Sequence, residues 1–412
     1  MNDLRLEEFE LPPIGEDEIL ARVVSDSICM SSHKAAAQGA GHKRVPDDVA
    51  GNPVIIGHEF CGELIEIGAK WRGRFKPGQK FSIQPALNYK GSLDAPGYSY
   101  RYIGGDASYV VIPNEVMELD CLLDYGGEAY FYGSLSEPMS CIIGAFHACY
   151  HTQSGSYTHK MGTEPGGRLA LLAAAGPMGL GAIDYAISCE NKPSLIAVTD
   201  IDGERLKRAE RLLPPEKAAA RGVRLIYAMT ADPGELMGFT GGRGYDDVFV
   251  FAPAAPVIEL ADGILSRDGC LNFFAGPVDP RFFAPLNFYN VHYASTHVVG
   301  TSGGNTDDMR EALALMEKGL IDPAAMITHV GGLDAAAGAT LGLDKLPGGK
   351  KLIYTHIDMP LTAIADFERL GRANGMNGPD AGLYAELAEI VAANNGLWCA
   401  GAEKALLRHF NV

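Results

Sequence analysis

The stretch Arg168-Leu-Ala-Leu-Leu-Ala-Ala-Ala-Gly-Pro-Met-Gly-Leu-Gly181 decides the fold of this chain. A short apolar run comes first, and small residues and glycines follow it directly. A continuous apolar run is typical of a strand that is buried on both faces of a parallel sheet. Small residues behind such a strand let the backbone turn tightly into a helix, whose free N–H groups can bind phosphate. The stretch therefore predicts the first strand, turn and helix of a dinucleotide-binding fold.

The glycine spacing inside this turn matches a dinucleotide-binding motif. Gly176 and Gly179 take the second and third glycine positions of G-x-G-x-x-G, Ala174 stands at the first, and Pro177 and Met178 lie between. The glycines of that motif let the backbone approach a pyrophosphate and let the helix pack closely on the strand. The four residues from Gly176 to Gly179 are therefore predicted to bind the phosphates of the cofactor.

An acidic residue ends the next predicted strand. Asp200 follows Leu195-Ile-Ala-Val-Thr199, at the place where a carboxylate would accept hydrogen bonds from the ribose hydroxyls of an adenosine. An acid there repels a 2′-phosphate, so NAD(H) is favoured and NADP(H) is not excluded. Asp202 could share this role and Arg205 could lie over the adenine, or both could be charges that cap the following helix.

The pattern of strands divides the chain. Residues 4–110 carry short strands broken by glycine and proline, which is typical of a small β-barrel. Strand and helix patterns alternate after about residue 134, which indicates a parallel sheet covered by helices. We therefore expect an α/β protein with three parts: a catalytic β-barrel domain at 1–150, completed by 326–358; a doubly wound dinucleotide-binding domain at 151–325; and a helical C-terminal extension at 359–412.

Composition excludes several classes of protein. With 412 residues and 47% hydrophobic content, the chain is long enough for two hydrophobic cores and is not disordered. Its 34 basic and 51 acidic residues give a net charge of −17, which disfavours nucleic acid and anionic membranes as partners. No apolar run is long enough to cross a membrane, and the acidic start of the chain lacks the pattern of a signal peptide. The eight scattered cysteines, without a C-x-x-C pair, indicate reduced thiols in a cytoplasmic protein.

Side chains that can bind zinc stand at the ends of predicted elements. Cys29 follows one strand, His58 and Glu59 follow a second predicted strand at Val54–Ile56, and Glu137 opens a predicted helix. Each is uninformative alone, because a single buried cysteine or histidine is usually structural. Together the thiolate, imidazole and carboxylate types form a catalytic zinc set with an open position. Zinc held there would act as a Lewis acid on a substrate oxygen.

These pieces, in this order, resemble the zinc-containing medium-chain dehydrogenase/reductase family over roughly residues 4–357. The resemblance implies a GroES-like barrel domain, a Rossmann domain, catalysis in the cleft between them, and a homodimer or homotetramer. It implies that Cys29, His58 and Glu137 are zinc ligands or water-bridged neighbours, and that Glu59 is an exchangeable ligand or an acid behind the ligands. The third protein ligand thus stays open between Glu59 and Glu137. The motifs that carry the resemblance are Ser27–Ser31, Ile56–Gly62, Lys76–Lys80, Ser136–Pro138, Gly176–Gly179 and Thr199-Asp200.

A narrower resemblance concerns the substrate. Glu137-Pro138 stands where alcohol dehydrogenases of the family carry a cysteine, and this resembles the polyol dehydrogenase branch. The segments Val45–Val49, Pro113–Met117 and Asn395–Cys399, with the helical tail, resemble the sorbose-phosphate reductases. That implies reversible conversion of a ketose phosphate into a polyol phosphate, of the L-sorbose 1-phosphate and D-glucitol 6-phosphate type. The alternatives are an unphosphorylated sorbitol-type dehydrogenase, a zinc-free quinone or enoyl reductase, and a non-catalytic NAD-binding protein.

The sequence departs from the family at two points. Residues 84–105, where the family's structural zinc lobe would lie, contain no cysteine, so we expect one catalytic zinc and no structural zinc. Met30 follows Cys29, where members of the family usually carry glycine.

Polar residues close after Cys29 supply further candidates. Ser31 could exchange a proton with the reacting oxygen, although a serine at the end of a strand is also common in turns. A sugar phosphate needs a cationic recess. In a chain of net charge −17, one short segment gathers four basic side chains that are candidates for this recess, or else form a solvated loop: Lys34, His42, Lys43 and Arg44.

Overall fold

A computed structural model describes residues 3–153, 155–373 and 381–412 of the chain. Contacts within the chain divide it into two compact units. Unit 1 comprises Met1–Glu137, Asn305–Glu317 and Ile327–Val412, and unit 2 comprises Pro138–Gly304 and Lys318–Met326. Unit 1 therefore contains the C-terminal extension together with residues 1–137 and 327–358 of the predicted catalytic domain, whereas residues 138–150 fall in unit 2.

The described residues form sixteen strands. In chain order they are β1 (Ile19–Ile28), β2 (Phe60–Ile67), β3 (Lys80–Ile83), β4 (Tyr109–Ile112), β5 (Leu122–Asp124), β6 (Tyr150–Thr152), β7 (His159–Met161), β8 (Arg168–Leu172), β9 (Leu195–Thr199), β10 (Arg224–Ala228), β11 (Tyr245–Val250), β12 (Leu265–Phe273), β13 (His297–Val299), β14 (Ile327–Gly332), β15 (Lys350–Tyr354) and β16 (Thr362–Ala363).

The same residues form fourteen α-helices. They are α1 (Met30–Gln38), α2 (Asn114–Glu118), α3 (Tyr130–Ala148), α4 (Pro177–Ala186), α5 (Gly203–Leu212), α6 (Pro215–Ala219), α7 (Pro233–Phe239), α8 (Ala255–Gly263), α9 (Phe288–Tyr293), α10 (Thr306–Glu317), α11 (Leu333–Leu341), α12 (Phe367–Ala373), α13 (Ala381–Ala393) and α14 (Ala400–His409). Within the described ranges, no helix is both long and apolar enough to span a membrane.

The sheet of unit 1 is built around β1. Its strands lie in the order β16-β14-β15-β1-β2-β3-β5, and β4 also pairs with β1. Alternate residues of these strands point into one apolar core, as expected for a sheet with one buried face. Members of this core include Ile19, Val23, Phe60, Leu64, Phe81 and Val110. The prediction that residues 4–110 are rich in short strands is confirmed.

The strand predicted at Val54–Ile56 is wrong. The segment has no strand assignment, and its backbone bonds to a loop instead of a neighbouring strand. The Ile55 amide donates to the Tyr100 carbonyl, and the Asp106 amide donates to the Ile56 carbonyl. An apolar triplet satisfies its backbone groups equally well against an irregular loop, so apolar character alone did not identify a strand.

The sheet of unit 2 has the predicted parallel arrangement. Its six strands lie in the order β10-β9-β8-β11-β12-β13, and every neighbouring pair is parallel. Counted from β8, this is the order 3-2-1-4-5-6 of doubly wound dinucleotide-binding sheets. In such sheets the strand order reverses beside the first strand, and ligands bind at the carboxyl ends of the strands there.

The turn after β8 has the geometry that its small residues predict. Ala173 takes the left-handed conformation, with φ of 56°, and Gly176 is the residue before helix α4. A Cβ atom on Gly179 would lie 1.9 Å from the Ala174 carbonyl oxygen, whereas a Cβ atom on Gly176 would meet no atom within 4 Å. Gly179 thus permits close packing of the helix on the strand, and Gly176 leaves open space at the helix N-terminus.

The C-terminal extension is helical, as predicted. Helices α12, α13 and α14 belong to unit 1. In α13 the side chains of Leu383, Leu387 and Val391 are buried and Ile390 is half-buried, and Leu406 of α14 is buried as well. The extension is therefore part of the core of unit 1.

Alanine substitutions at the two glycines of the turn are expected to change the free energy of unfolding by different amounts. Gly179→Ala is expected to lower the free energy of unfolding by about 1–3 kcal/mol, the usual cost of overpacking, because only backbone atoms surround the new methyl group. Gly176→Ala, the matched control, should change it by less than about 0.5 kcal/mol. Urea unfolding of both variants measures this. Equal stabilities would contradict the described packing of α4 on β8.

Candidate active site

The order of the strands brings the candidate zinc ligands together. Cys29 directly follows β1, and His58 and Glu59 directly precede β2. The two strands are antiparallel neighbours, with Asp26 opposite Phe60, so the end of one lies beside the start of the other. One donor atom from each of Cys29, His58 and Glu59 lies within 4.8 Å of the other two. The structure thus gathers three of the four predicted ligands in one cluster.

Hydroxyl groups surround both nitrogens of the His58 ring. The Ser32 hydroxyl lies 3.1 Å from Nδ1, while the Ser31 and Tyr98 hydroxyls lie 3.3 Å and 3.2 Å from Nε2. His58 is buried, and this burial lowers the pKa of its imidazole. The ring is therefore held neutral, which is the form that binds metal ions.

Ser31 lies at the centre of the cluster. Its hydroxyl donates to the Cys29 sulfur over 3.0 Å, in addition to its contact with His58. Burial raises the pKa of the Cys29 thiol, while the positive charge of Lys350 and the hydrogen bond from Ser31 lower it. A metal cation would add to these lowering effects, since a thiol that coordinates a metal is deprotonated.

A buried lysine pairs with Glu59. Lys350 Nζ donates to both carboxylate oxygens of Glu59, at 2.6 Å to Oε2 and at a shorter distance to Oε1. Both side chains are almost fully buried. Burial by itself disfavours the ammonium ion, but the charge and hydrogen bond of Glu59, together with Cys29 and Glu137, outweigh it and raise the pKa of Lys350. Glu59 therefore has a resident cation as partner.

The sequence did not predict Lys350. It is the first residue of β15, which pairs with β1 on the side opposite β2. Lys350 and Glu59 meet because the starts of two strands flank the end of β1. The only local signal is a lysine at the start of an apolar strand. A lysine at this position is also common where a strand begins at the protein surface.

The buried carboxyl group of Asp26 contacts the loop that carries His58. The Glu59 amide donates to Asp26 Oδ1 over 3.2 Å. A Cβ atom on Gly57 would lie 2.9 Å from Asp26 Oδ2 and 2.7 Å from the Asp106 amide, and Gly57 has a φ of 93°. Glycine is therefore required in the motif Gly57-His58-Glu59. Burial raises the pKa of Asp26, and raises that of Asp106 to about 7.

Glu137 lies within helix α3, two turns after the helix begins at Tyr130, so the prediction that it opens a helix is wrong. It is buried, and its burial raises its pKa to about 7, whereas the charge of His58 lowers it. The charges of Glu59 and Cys29 act on it as well, so Glu137 lies in the electrostatic field of the three gathered ligands. It is outside the group whose donor atoms lie within 4.8 Å of one another.

The donor set fits a zinc ion by its chemistry. It offers one thiol, one neutral imidazole and carboxylates, which are the ligand types of catalytic zinc sites. The buried hydroxyl of Ser32, at Nδ1, orients the imidazole, as outer partners of metal ligands usually do.

The predicted basic residues lie on one side of this cluster. The Arg44 guanidinium lies 5.7 Å from the centre of the Tyr98 ring, and the His42 ring stacks on the same tyrosine at 5.9 Å. Burial lowers the pKa of His42, and the nearby charges of Lys43, Arg44 and Lys34 lower it further. The four basic residues are thus near one another, and Tyr98 contacts His58 as well as the side chains of His42 and Arg44.

The predicted cofactor residues lie in unit 2. Asp200 directly follows β9, as predicted, and accepts hydrogen bonds from the Ala175 amide and the Asp202 amide, each at 3.0 Å. Asp202 caps helix α5 by accepting from the Glu204 and Arg205 amides. Arg205 is exposed and pairs with Asp202 at 3.4 Å. Asp200 therefore ties the glycine turn to the end of β9, and Asp202 has the helix-capping role that the sequence left open.

Comparison with known proteins defines the class. Residues 15–120 match the alcohol dehydrogenase GroES-like domain, and residues 177–318 match the zinc-binding dehydrogenase family. The chain is 51% identical to mannitol-1-phosphate 5-dehydrogenase of Aliivibrio fischeri, over 100% of this chain and 96% of the relative. It is also 51% identical to L-sorbose 1-phosphate reductase of Klebsiella pneumoniae, over 99% of this chain and 95% of the relative.

A solved structure agrees in fold. The 2R,3R-butanediol dehydrogenase of Bacillus subtilis aligns with a TM-score of 0.68 and 21% identity, over 86% of this chain and 96% of that one. The protein belongs to the zinc-containing medium-chain dehydrogenase/reductase family and is an oxidoreductase. The predicted family and the predicted fold, with GroES-like and Rossmann parts, are confirmed.

Removal of the Lys350 ammonium group should destabilise the protein, because it leaves a buried charge without a partner. Lys350→Met leaves the Glu59 carboxylate without its cation, and we expect the free energy of unfolding to fall by about 3–5 kcal/mol. Adding Glu59→Gln should restore part of this loss. Lys207→Met, which breaks an exposed lysine–glutamate pair, should leave the free energy of unfolding close to that of the wild type. Urea unfolding of the metal-free proteins compares them, and equal losses at Lys350 and Lys207 would contradict a buried ion pair.

Proposed function

We propose that this protein is a zinc- and NAD(H)-dependent oxidoreductase that interconverts a ketose phosphate and a polyol phosphate, of the L-sorbose 1-phosphate and D-glucitol 6-phosphate type. The observation that carries the proposal is that Arg44 and His42 lie against the ring of Tyr98, whose hydroxyl lies 3.2 Å from His58. Cationic side chains beside a zinc-type donor set suit a substrate with a phosphate at one end and a reacting carbon at the other. The two relatives at 51% identity, both named for phosphorylated substrates, support it.

We assign the zinc ligands as Cys29, His58 and a carboxylate. Glu59 already uses both oxygens to accept hydrogen bonds from Lys350. This favours Glu137 as the third protein ligand and Glu59 as the acid behind it. When bound, zinc supplies a Lewis acid that polarises the reacting carbon–oxygen bond.

The chain's own residues would handle the proton. Reduction of a ketone requires a hydride from NADH at carbon and a proton at oxygen. Ser31 contacts both Cys29 and His58, so its hydroxyl is placed to give that proton, and to accept it in the reverse reaction. The Tyr98 hydroxyl lies 3.2 Å from the same ring nitrogen, Nε2 of His58, and burial raises the pKa of its phenol. Tyr98 therefore stays protonated and acts as a hydrogen-bond donor.

The glycine turn and Asp200 support NAD(H) as the cofactor. The N-terminus of α4, with Gly176, Pro177, Met178 and Gly179, offers backbone N–H groups to a pyrophosphate. Asp200 is placed to accept from the ribose hydroxyls and would repel a 2′-phosphate. Arg205, beside Asp202, would flank the adenosine.

We infer one zinc per chain. In the described part of the chain a second group, Cys149, Asp247 and Cys270, also brings donor atoms within 4.8 Å of one another. There the Asp247 oxygens already accept hydrogen bonds from His151 at 3.2 Å and from the Glu164 amide at 2.8 Å. A buried carboxylate that is satisfied in this way needs no metal ion.

A substrate screen tests the proposed function. Purified protein should reduce L-sorbose 1-phosphate with NADH, with kcat/KM at least about tenfold above that for L-sorbose, a difference of about 1.4 kcal/mol. D-mannitol 1-phosphate is assayed in the oxidative direction, because one relative is named for it. NADPH should be the poorer cofactor, and a chelator should abolish activity. Equal kcat/KM on L-sorbose and its phosphate would contradict the phosphate assignment.

Two arginine variants test where the phosphate group of the substrate binds. Arg44→Met should raise KM for L-sorbose 1-phosphate by about tenfold or more and leave kcat/KM for unphosphorylated L-sorbose within about twofold, because a charge-assisted contact contributes about 1.5–3 kcal/mol. Arg101 lies over Tyr102 at 5.3 Å, much as Arg44 lies over Tyr98. Arg101→Met is therefore the matched control and should leave both substrates unaffected. A similar loss on both substrates in Arg44→Met would place the phosphate elsewhere.

We infer a homodimer or homotetramer from the surface of unit 2. The segment around α9 and β13 exposes several large apolar side chains: Phe283, Phe288, Tyr289, Tyr293 and Val298. Within the part of the chain that the structure describes, β13 pairs only with β12 and is an edge strand. Exposed apolar patches and open strand edges are typical of interfaces. Light scattering should give at least twice the chain mass of 43.9 kDa; the mass of a single chain would contradict this.

A further inference from the structure

We propose that Glu403, in the last helix of the C-terminal extension, is a positioning residue for the zinc site. It forms hydrogen bonds at the start of α3, the helix that carries Glu137. It also forms a hydrogen bond at the end of β15, the strand whose first residue is Lys350. The proposal rests on the proposed function, because it assumes that Glu137 and the Lys350–Glu59 pair serve a bound zinc ion.

The Glu403 carboxylate caps helix α3. The amide of Tyr130 donates to Oε1 over 2.6 Å, and the amide of Phe131 donates to Oε2 over 2.9 Å. These are the first two residues of the helix, whose amides lack partners within it. A negative charge at this end is also favoured by the helix dipole. Residues far apart in sequence are thus joined at the point where α3 begins.

The same carboxylate holds strand β15. The Tyr354 hydroxyl donates to Glu403 Oε2 over 2.8 Å, and the Trp398 indole donates to the Tyr354 hydroxyl over 2.8 Å. Tyr354, Trp398 and Glu403 are all buried. Burial raises the pKa of Glu403 to about 7, whereas its three hydrogen-bond donors lower it. All three neighbours donate, so the carboxylate is the form that satisfies them.

Both elements lead to the zinc site. Glu137 lies two turns along α3 from its capped end. Ser134 of the same helix donates to the Ser25 carbonyl over 2.9 Å, which fixes the side of the helix against β1. In β15, Tyr354 is the last residue and Lys350 the first. One buried carboxylate in the extension therefore sets the ends of two elements that supply groups to the site.

The experiment compares Glu403→Gln with a matched control. Glu403→Gln keeps the size of the side chain and removes its charge, and we expect the dissociation constant for zinc, measured by competition with a chromogenic chelator, to rise about tenfold, as for other residues that support metal ligands. We expect kcat to fall by a similar factor. The dissociation constant for NADH should stay unchanged, because its predicted site lies in unit 2.

The control is Glu386→Gln, the same chemical change at an exposed residue of the extension that pairs with Arg408. It should leave zinc affinity, NADH affinity and kcat at their wild-type values. If Glu403→Gln binds zinc as tightly as the active wild-type enzyme, the positioning role is overturned while the proposed function stands. If the wild-type protein itself holds no zinc or reduces no ketose phosphate, the proposed function fails instead.

A second variant covers the case in which Glu403→Gln does not fold. Tyr354→Phe keeps the cap on α3 and removes only the hydroxyl that connects Glu403 to β15. It is expected to raise the dissociation constant for zinc by about threefold, a smaller effect than that of Glu403→Gln because one of the two connections remains. Wild-type zinc affinity in a folded Tyr354→Phe protein would overturn the connection through β15, and with it the joint role of Glu403.

Discussion

The buried pair of Glu59 and Lys350 is the interaction on which the proposed active site depends. Two opposite charges with almost no solvent exposure persist only if each is paired and hydrogen-bonded, since removing either leaves an uncompensated charge. Their meeting requires β15, β1 and β2 to lie side by side in that order. The pair therefore depends on the strand order of unit 1. Cys29 directly follows β1, the middle one of these three strands, and so lies next to the pair.

This arrangement separates the tasks of the two neighbouring carboxylates. Glu59 accepts hydrogen bonds from Lys350 at both of its carboxylate oxygens. Glu137 is buried as well, and burial raises its pKa to about 7, whereas the charge of His58 lowers it. A divalent cation beside Glu137 would favour its charged form. The cation beside Glu59 is thus part of the fold itself, and Glu137 is the carboxylate that we assign to the metal ion.

Much of this site could be predicted from sequence, because its signals are local. The glycine turn after β8 and Asp200 after β9 follow from an apolar strand with its adjacent residues, and Cys29 and His58 follow from residue type and spacing. Lys350 could not be predicted, because it is remote in sequence from Glu59 and only the strand order brings the two together. Tyr98 was missed for the same reason, since it lies in an irregular loop whose course no periodic pattern describes. The extension was predicted to be helical, but its connection to α3 depends on Glu403, a charged residue that a helical pattern would place at the surface.

The most direct test of the account is the coordination of the bound metal. X-ray absorption at the zinc edge, with the metal content of the same sample, reports the number and type of ligand atoms. The account predicts one zinc per chain with a single sulfur at about 2.3 Å and nitrogen or oxygen ligands at about 2.0–2.2 Å, and loss of that sulfur in Cys29→Ser. Two sulfur ligands would place the metal at Cys149 and Cys270 instead. A metal without sulfur, or a protein that binds none, would contradict the proposed site.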